Sequence, residues 1–139
     1  MAVQWDFDIT ITNGSALRRI PRAKMLSAVE RALRGERSRR ATVSVVILDD
    51  PEIHRMNKQY LNHDYPTDVI TFSMSDDSVD GEIYIGAGVA VSQAAEYGVT
   101  VSAELQRLAV HGTLHLLGYD DNTPDLRKTM NDLETSYIT

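Results

Sequence analysis

Hydrophobic and polar residues alternate along positions 4 to 12, with Trp5, Phe7, Ile9 and Ile11 on one side and Gln4, Asp6, Asp8, Thr10 and Thr12 on the other. A period of two is that of a half-buried strand. Asn13-Gly14-Ser15 then signals a turn, and Pro21 stands where a first helical residue would. From there Met25, Leu26, Val29, Ala32 and Leu33 recur at helical spacing. Residues 41 to 48 pass into a continuous β-branched run, which predicts a central strand covered on both faces. Asp49-Asp50-Pro51-Glu52 reads as a helix start, with Asp50 as N-cap and Pro51 at the first turn; Ile53, Met56, Asn57 and Tyr60 share a face of that helix, and His54 falls off it.

After the polar connection Asn62 to Pro66, residues 67 to 72 and 81 to 85 alternate as two further strands, joined by a loop short enough for a hairpin. Gly86-Ala87-Gly88 breaks the second of these, and Val89 to Tyr97 reads as a helix stopped by Gly98. Ser102 opens the next helix, with Leu105, Leu108, Ala109 and Leu116 as its core contacts. Thr123-Pro124 caps a last helix carrying Leu126, Met130 and Leu133. The predicted order is β, α, β, α, β, β, α, α, α: an α+β fold, one domain over residues 1–139, with a mixed four-stranded sheet packed by about five helices.

The helix opened by Ser102 carries His111 and His115, which helical spacing stacks one turn apart on one face. Gly118 is suited to the left-handed conformation that ends a helix, so an oxygen from Asp121, three residues on, could swing under both imidazoles. Two nitrogens and an oxygen make a zinc-type set with a fourth position open. The pattern His-x-x-x-His-x-x-Gly-x-x-Asp resembles the metzincin zinc motif, with Gly112 where a zinc protease carries its general-base glutamate and Asp121 where that motif has a third histidine. The bland alternative is a pair of hydrogen-bonded structural histidines with Asp120 and Asp121 as solvated turn residues.

Composition sets the broader class. At 139 residues, 42% hydrophobic and 24% charged, the chain matches an ordinary globular domain, with no apolar run long enough to span a bilayer and no basic-then-apolar leader at its start. Its lack of cysteine suits a reducing compartment, and cytoplasm is the default expectation. The net charge of −6 hides an asymmetry: nine of the 14 basic residues, with only Glu30 and Glu36 against them, fall between 18 and 40. That segment is +7 and the remainder −13. Arg18, Arg22, Arg31 and Arg34 are candidates for a polyanion-binding face, and an ordinary solvated helix face explains the same charge equally well.

With His111-Gly-Thr-Leu-His115-Leu-Leu-Gly118-Tyr-Asp120 in view, the chain resembles the bacterial YbeY family of metal-dependent endoribonucleases. Thr67-Asp68-Val69-Ile70-Thr71-Phe72 is similar to that family's T-D-V-L-S-F strand, and Gly81-Glu82-Ile83-Tyr84-Ile85 to its G-D-I-x-I strand. Glu104 stands where the family carries an acid upstream of the first histidine. By helix rise it lies about 10 Å from His111, so it is expected to orient a neighbouring group rather than reach the metal. Two positions depart from the family pattern: Asp121 replaces its third metal-binding histidine, and Leu61 stands where an arginine is common.

The metzincin-like spacing and the two-nitrogen, one-oxygen set predict one divalent ion, zinc or another transition metal, on His111, His115 and Asp121. The resemblance implies hydrolysis of single-stranded RNA, maturation of the 3′ end of small-subunit (16S) ribosomal RNA, and the ribosome as partner. A zinc peptidase and a non-catalytic ribosome-binding module with a structural metal are the alternatives the residues leave open.

Overall fold

Strand β1 (Asp6–Gly14) leads through a loop into helix α1 (Arg22–Gly35), and β2 (Arg40–Leu48) returns parallel to β1. Helix α2 (Asp50–Leu61) follows, then the antiparallel pair β3 (Val69–Ser73) and β4 (Val79–Gly86), and three helices, α3 (Ala87–Tyr97), α4 (Val101–Leu116) and α5 (Pro124–Ile138). This computed structural model describes residues 3–139; Met1 and Ala2, the start of the stretch read for a leader, lie outside them. The four strands form one mixed sheet in the order β1-β2-β4-β3, with β2 and β4 parallel in the centre. Element number, type and order are those the hydrophobic pattern predicts. Among the described residues no helix is long and apolar enough to cross a membrane.

Register explains which face is buried. Ile9 pairs with Val43, Ile11 with Val45, and Val45 in turn with Ile83, so one apolar row crosses three strands. Helices α1, α3 and α4 lie on this face, where Met25, Val29, Leu33, Leu105, Leu108 and Ala109 complete the main core. The opposite face is another matter. Thr42 is exposed and Ser44 half-buried there, and only the C-terminal end of β2, at Val46 and Leu48, meets a smaller cluster with Ile53 and Met56 of α2 and Ile70 and Phe72 of β3. The expectation that β2 is covered on both faces therefore holds only for its last residues, because its first half still alternates.

Helix starts are displaced by one or two positions. Helix α1 begins at Arg22 with Pro21 as its N-cap, so the proline precedes the first helical residue. Asp49 caps α2 in place of Asp50, and its side chain is spent elsewhere, accepting from the Ala16 N–H at 3.0 Å. Thr100 caps α4 in place of Ser102: its Oγ1 accepts from the Ala103 N–H at 3.0 Å, while the Ser102 hydroxyl, inside the first turn, receives the Gln106 amide at 3.2 Å. Thr123 caps α5 with Pro124 in the first turn, as the sequence predicts.

Helix α4 is the structural centre, packing against α1, α3, α5, β3 and β4. It approaches the sheet at Gly112, where an added Cβ would lie 2.6 Å from Cγ2 of Ile83. The residue that replaces the protease glutamate thus faces the sheet, with no room for any side chain. Overpacking of this kind costs about 1–3 kcal/mol, and alanine recovers up to about 1 kcal/mol in helix propensity. Gly112→Ala should accordingly lower the urea midpoint, and an unchanged midpoint would show that α4 can step back from β4 without loss.

Candidate metal centre

The exit of α4 sets the first half of the site. Gly118 has φ +102, the Tyr119 N–H bonds to the Leu114 carbonyl at 3.0 Å, and the Gly118 N–H bonds to the His115 carbonyl at 3.0 Å. These are the paired bonds of a Schellman ending, and Tyr119 packs on the same cluster as Leu114. The turn reverses the chain and carries Asp121 back beneath the helix.

His111, His115 and Asp121 converge there. The two imidazole Nε2 atoms are 3.1 Å apart, and Asp121 Oδ2 lies 3.4 Å from His111 Nε2 and 3.6 Å from His115 Nε2. Three corners of a tetrahedron with zinc-type bonds of about 2.0–2.1 Å are about 3.3 Å apart. The triangle has that size. All three residues are half-buried, and they form a group able to hold a metal ion.

The partners of the other ring nitrogens fix the tautomers. His115 Nδ1 is 2.9 Å from the Tyr119 carbonyl oxygen, which can only accept, so Nδ1 carries the proton. His111 Nδ1 likewise donates to Glu134 Oε2 at 2.7 Å. With the protons so assigned, both neutral rings turn an Nε2 lone pair toward Asp121. Three electron-rich atoms gathered this closely repel one another, and positive charge placed among them, a proton or a metal ion, relieves that repulsion. This is the observation that fits a metal to the residues present.

Glu134 supplies the electrostatics. Its side chain is only 3% exposed, and Oε1 takes the Arg107 guanidinium at 3.1 Å while Oε2 takes His111. Burial works to lower the His111 pKa. The hydrogen bond and charge of Glu134, followed by the charges of Asp121 and Asp68, outweigh it and hold the value above the usual histidine range. The surroundings thus favour positive charge on this ring, whether proton or metal.

Glu104, expected to orient a neighbour, makes no hydrogen bond that steadies either histidine; Glu134 does that for His111. Glu104 lies buried in α4 with Oε1 unpartnered, and burial pushes its carboxyl above the usual range despite the offsetting charge of Arg107. Sequence reading missed Glu134 and Arg107 as site residues. Glu134 sits 23 positions from its histidine, and its one available signal was an acid on the inner face of α5 among Met130 and Leu133.

A cleft of about 290 Å³ opens beside His111 and Asp121, lined also by Asp68, Gln93, Tyr97 and Arg127. Its cations are Arg107 and Arg127, and none of Arg18, Arg22, Arg31 and Arg34 lines it. Three of those four have partners within the chain. Arg22 Nε donates to the Ile11 carbonyl at 3.1 Å, Arg31 Nε to the Tyr137 carbonyl at 2.7 Å, and the Arg34 guanidinium sits 5.8 Å from the Trp5 ring centre.

Fold and site define an α+β protein with a His-His-Asp group able to hold a metal ion, carried on one helix and the turn beyond it. Comparison with known proteins gives the family. Residues 10–139 match the family model described as Endoribonuclease YbeY. Proteins named Endoribonuclease YbeY from Chlorobaculum parvum and Elusimicrobium minutum are similar to the chain. The first is 38% identical over 122 residues, 87% of this chain and 86% of its own length. The second is 42% identical over 118 residues, 81% of this chain and 82% of its own. A solution structure of a Thermotoga maritima protein superimposes with a TM-score of 0.65 at 29% identity, covering 94% of this chain and 86% of that one. The chain belongs to the YbeY endoribonuclease family.

Removing one partner of a buried charged network costs about 3–5 kcal/mol. Glu134→Leu, which leaves Arg107 and the His111 N–H without their acceptor, should reduce stability to urea by about 3 kcal/mol. A loss below about 1 kcal/mol would place the value of the pair in the range of solvated surface charges.

Proposed function

We propose that this protein is a metal-dependent endoribonuclease that cleaves single-stranded RNA, acting in maturation of the 3′ end of 16S ribosomal RNA and in ribosome quality control. The observation that carries the proposal is the triangle of His111, His115 and Asp121, with both Nδ1 protons already committed, in a chain whose relatives bear the name endoribonuclease. The proposed ion is zinc, which suits two imidazoles and one carboxylate. Bound there, it would supply a Lewis acid for a phosphoryl oxygen and an acidified water.

The chain's own residues do the rest. Glu134 and the Tyr119 carbonyl hold the two rings in their ligating tautomer. Arg127, which lines the cleft and donates to the Asp121 carbonyl at 3.3 Å, stands where an incoming phosphate would meet positive charge not already paired with a carboxylate. Arg107 is neutralised by Glu134 and serves mainly to fix that carboxylate. The four arginines in and before α1 extend the proposed RNA contact beyond the cleft, through guanidinium groups left over from their internal hydrogen bonds. Cytoplasm, and contact with the ribosome, follow from the substrate proposed.

The peptidase reading lacks a base: Gly112 is packed on Ile83, and the carboxylate that reaches His111 is occupied by the Arg107 guanidinium and the His111 N–H. Protein purified without a polyhistidine tag should carry about one equivalent of zinc and cleave single-stranded RNA but not casein. His115→Ala should lose the metal and the cleavage together, whereas Asp121→His should keep the metal. Casein hydrolysis, or RNA cleavage undiminished in metal-free His115→Ala, would contradict the proposal.

The extended RNA contact has its own test. Each phosphate contact removed reduces the salt slope of single-strand binding by about 0.7. Replacing Arg18, Arg22, Arg31 and Arg34 by Gln should weaken RNA binding and flatten its dependence on salt. An unchanged slope would reduce these arginines to packing and solvated charge.

A further inference from the structure

The basic stretch from 18 to 40 contains one acid with no place in a polyanion-binding face. Glu36 caps the C-terminal end of α1, and its two carboxylate oxygens are divided between two phenols: Oε1 accepts from Tyr119 and Oε2 from Tyr137. Tyr119 meets one histidine of the centre directly, and Tyr137 shares a helix with the residue that meets the other. The Tyr119 carbonyl is the acceptor of the His115 Nδ1 proton at 2.9 Å. Tyr137 lies one turn along α5 from Glu134, the acceptor of the His111 Nδ1 proton at 2.7 Å.

We propose that Glu36 is a positioning residue for the metal centre, a single carboxylate that ties down both outer supports of its two histidines. The inference rests on the reading of His111, His115 and Asp121 as a metal site.

The surroundings of Glu36 are built for this contact. A Cβ on Gly35 would overlap the Tyr137 phenol, so the end of α1 leaves that ring its space. Arg31, one turn earlier in α1, holds the Tyr137 carbonyl at 2.7 Å, a second tie between the same two helices. Tyr119 and Tyr137 share a cluster with Leu114 of α4 and Met130 of α5, so the phenols reach Glu36 from packed rings.

A ligating imidazole binds well only when its outer hydrogen bond holds the ring to the metal's direction; loss of such a partner weakens metal binding about 10- to 100-fold. Without Glu36 the Tyr119 phenol loses its hydrogen-bond anchor beyond the Schellman turn, and α5 loses one of its two polar ties to α1. Both acceptors then gain freedom together.

The test uses the full chain and zinc, with affinity measured by competition against a chromophoric chelator, and urea stability of the metal-free protein measured alongside. Glu36→Gln is expected to bind zinc about tenfold more weakly, the low end for an outer partner, while remaining folded. Tyr119→Phe and Tyr137→Phe break the arms singly. In the zinc-loaded protein each should broaden or shift the ring N–H resonance of its own histidine, His115 for Tyr119→Phe and His111 for Tyr137→Phe, and leave the other in place. Urea stability that falls with zinc affinity and both resonances unchanged would make Glu36 a packing residue and overturn the inference. Zinc affinity lost in His115→Ala but kept in all three variants overturns the inference alone. Wild-type protein that takes up no zinc overturns the metal reading and this inference with it.

Discussion

Helix α4 lies against β4 closely enough that Gly112 touches Ile83, and that closeness decides which way the helix turns its other residues. With Leu105, Leu108 and Ala109 committed to the sheet, the stripe bearing His111 and His115 must look toward α5 and the turn beyond Gly118. The same contact denies position 112 a side chain. A glycine there is a consequence of packing, and the loss of a protease-type base is the chemical consequence of that packing.

A site made in this way needs its supports from distant parts of the chain. The helix exit provides Asp121 and the Tyr119 carbonyl, α5 provides Glu134, and Arg107, one turn before His111 on α4, returns to hold Glu134 in turn. Burial of Glu134 is offset by the Arg107 guanidinium and the His111 N–H, from which its two oxygens accept. A negative charge thus stands behind His111 and a neutral carbonyl behind His115, an asymmetry that makes His111 the more electron-rich of the two rings.

The local parts of this arrangement were legible in the sequence. Periodicity predicted all nine elements in order, and the four-residue spacing of the histidines with Gly118 and Asp121 predicted that these three side chains converge, because helix and turn geometry are set by neighbours. What depends on tertiary contact was not legible. Glu134 reads from sequence as one more helix acid, and Glu104 drew attention because it stands where the family carries an acid upstream of the first histidine. Cap positions slipped where two competent residues stood close together, Thr100 and Ser102, or Asp49 and Asp50, and only the hydrogen bonds distinguish them. The basic stretch was read as a polyanion-binding or solvated face; Arg22, Arg31 and Arg34 also bond to a carbonyl or lie against a ring, contacts that net charge does not reveal.

The central claim is that His111, His115 and Asp121 hold one metal ion, and a crystal structure of the zinc-treated protein tests it most directly. Anomalous difference maps recorded on both sides of the zinc absorption edge should show a single strong peak about 2.0–2.1 Å from His111 Nε2, His115 Nε2 and an Asp121 oxygen. The Nδ1 contacts to Glu134 and the Tyr119 carbonyl should be unchanged. A map without a peak at these three residues, or a peak on other side chains with the histidines still bonded to each other, would contradict the account.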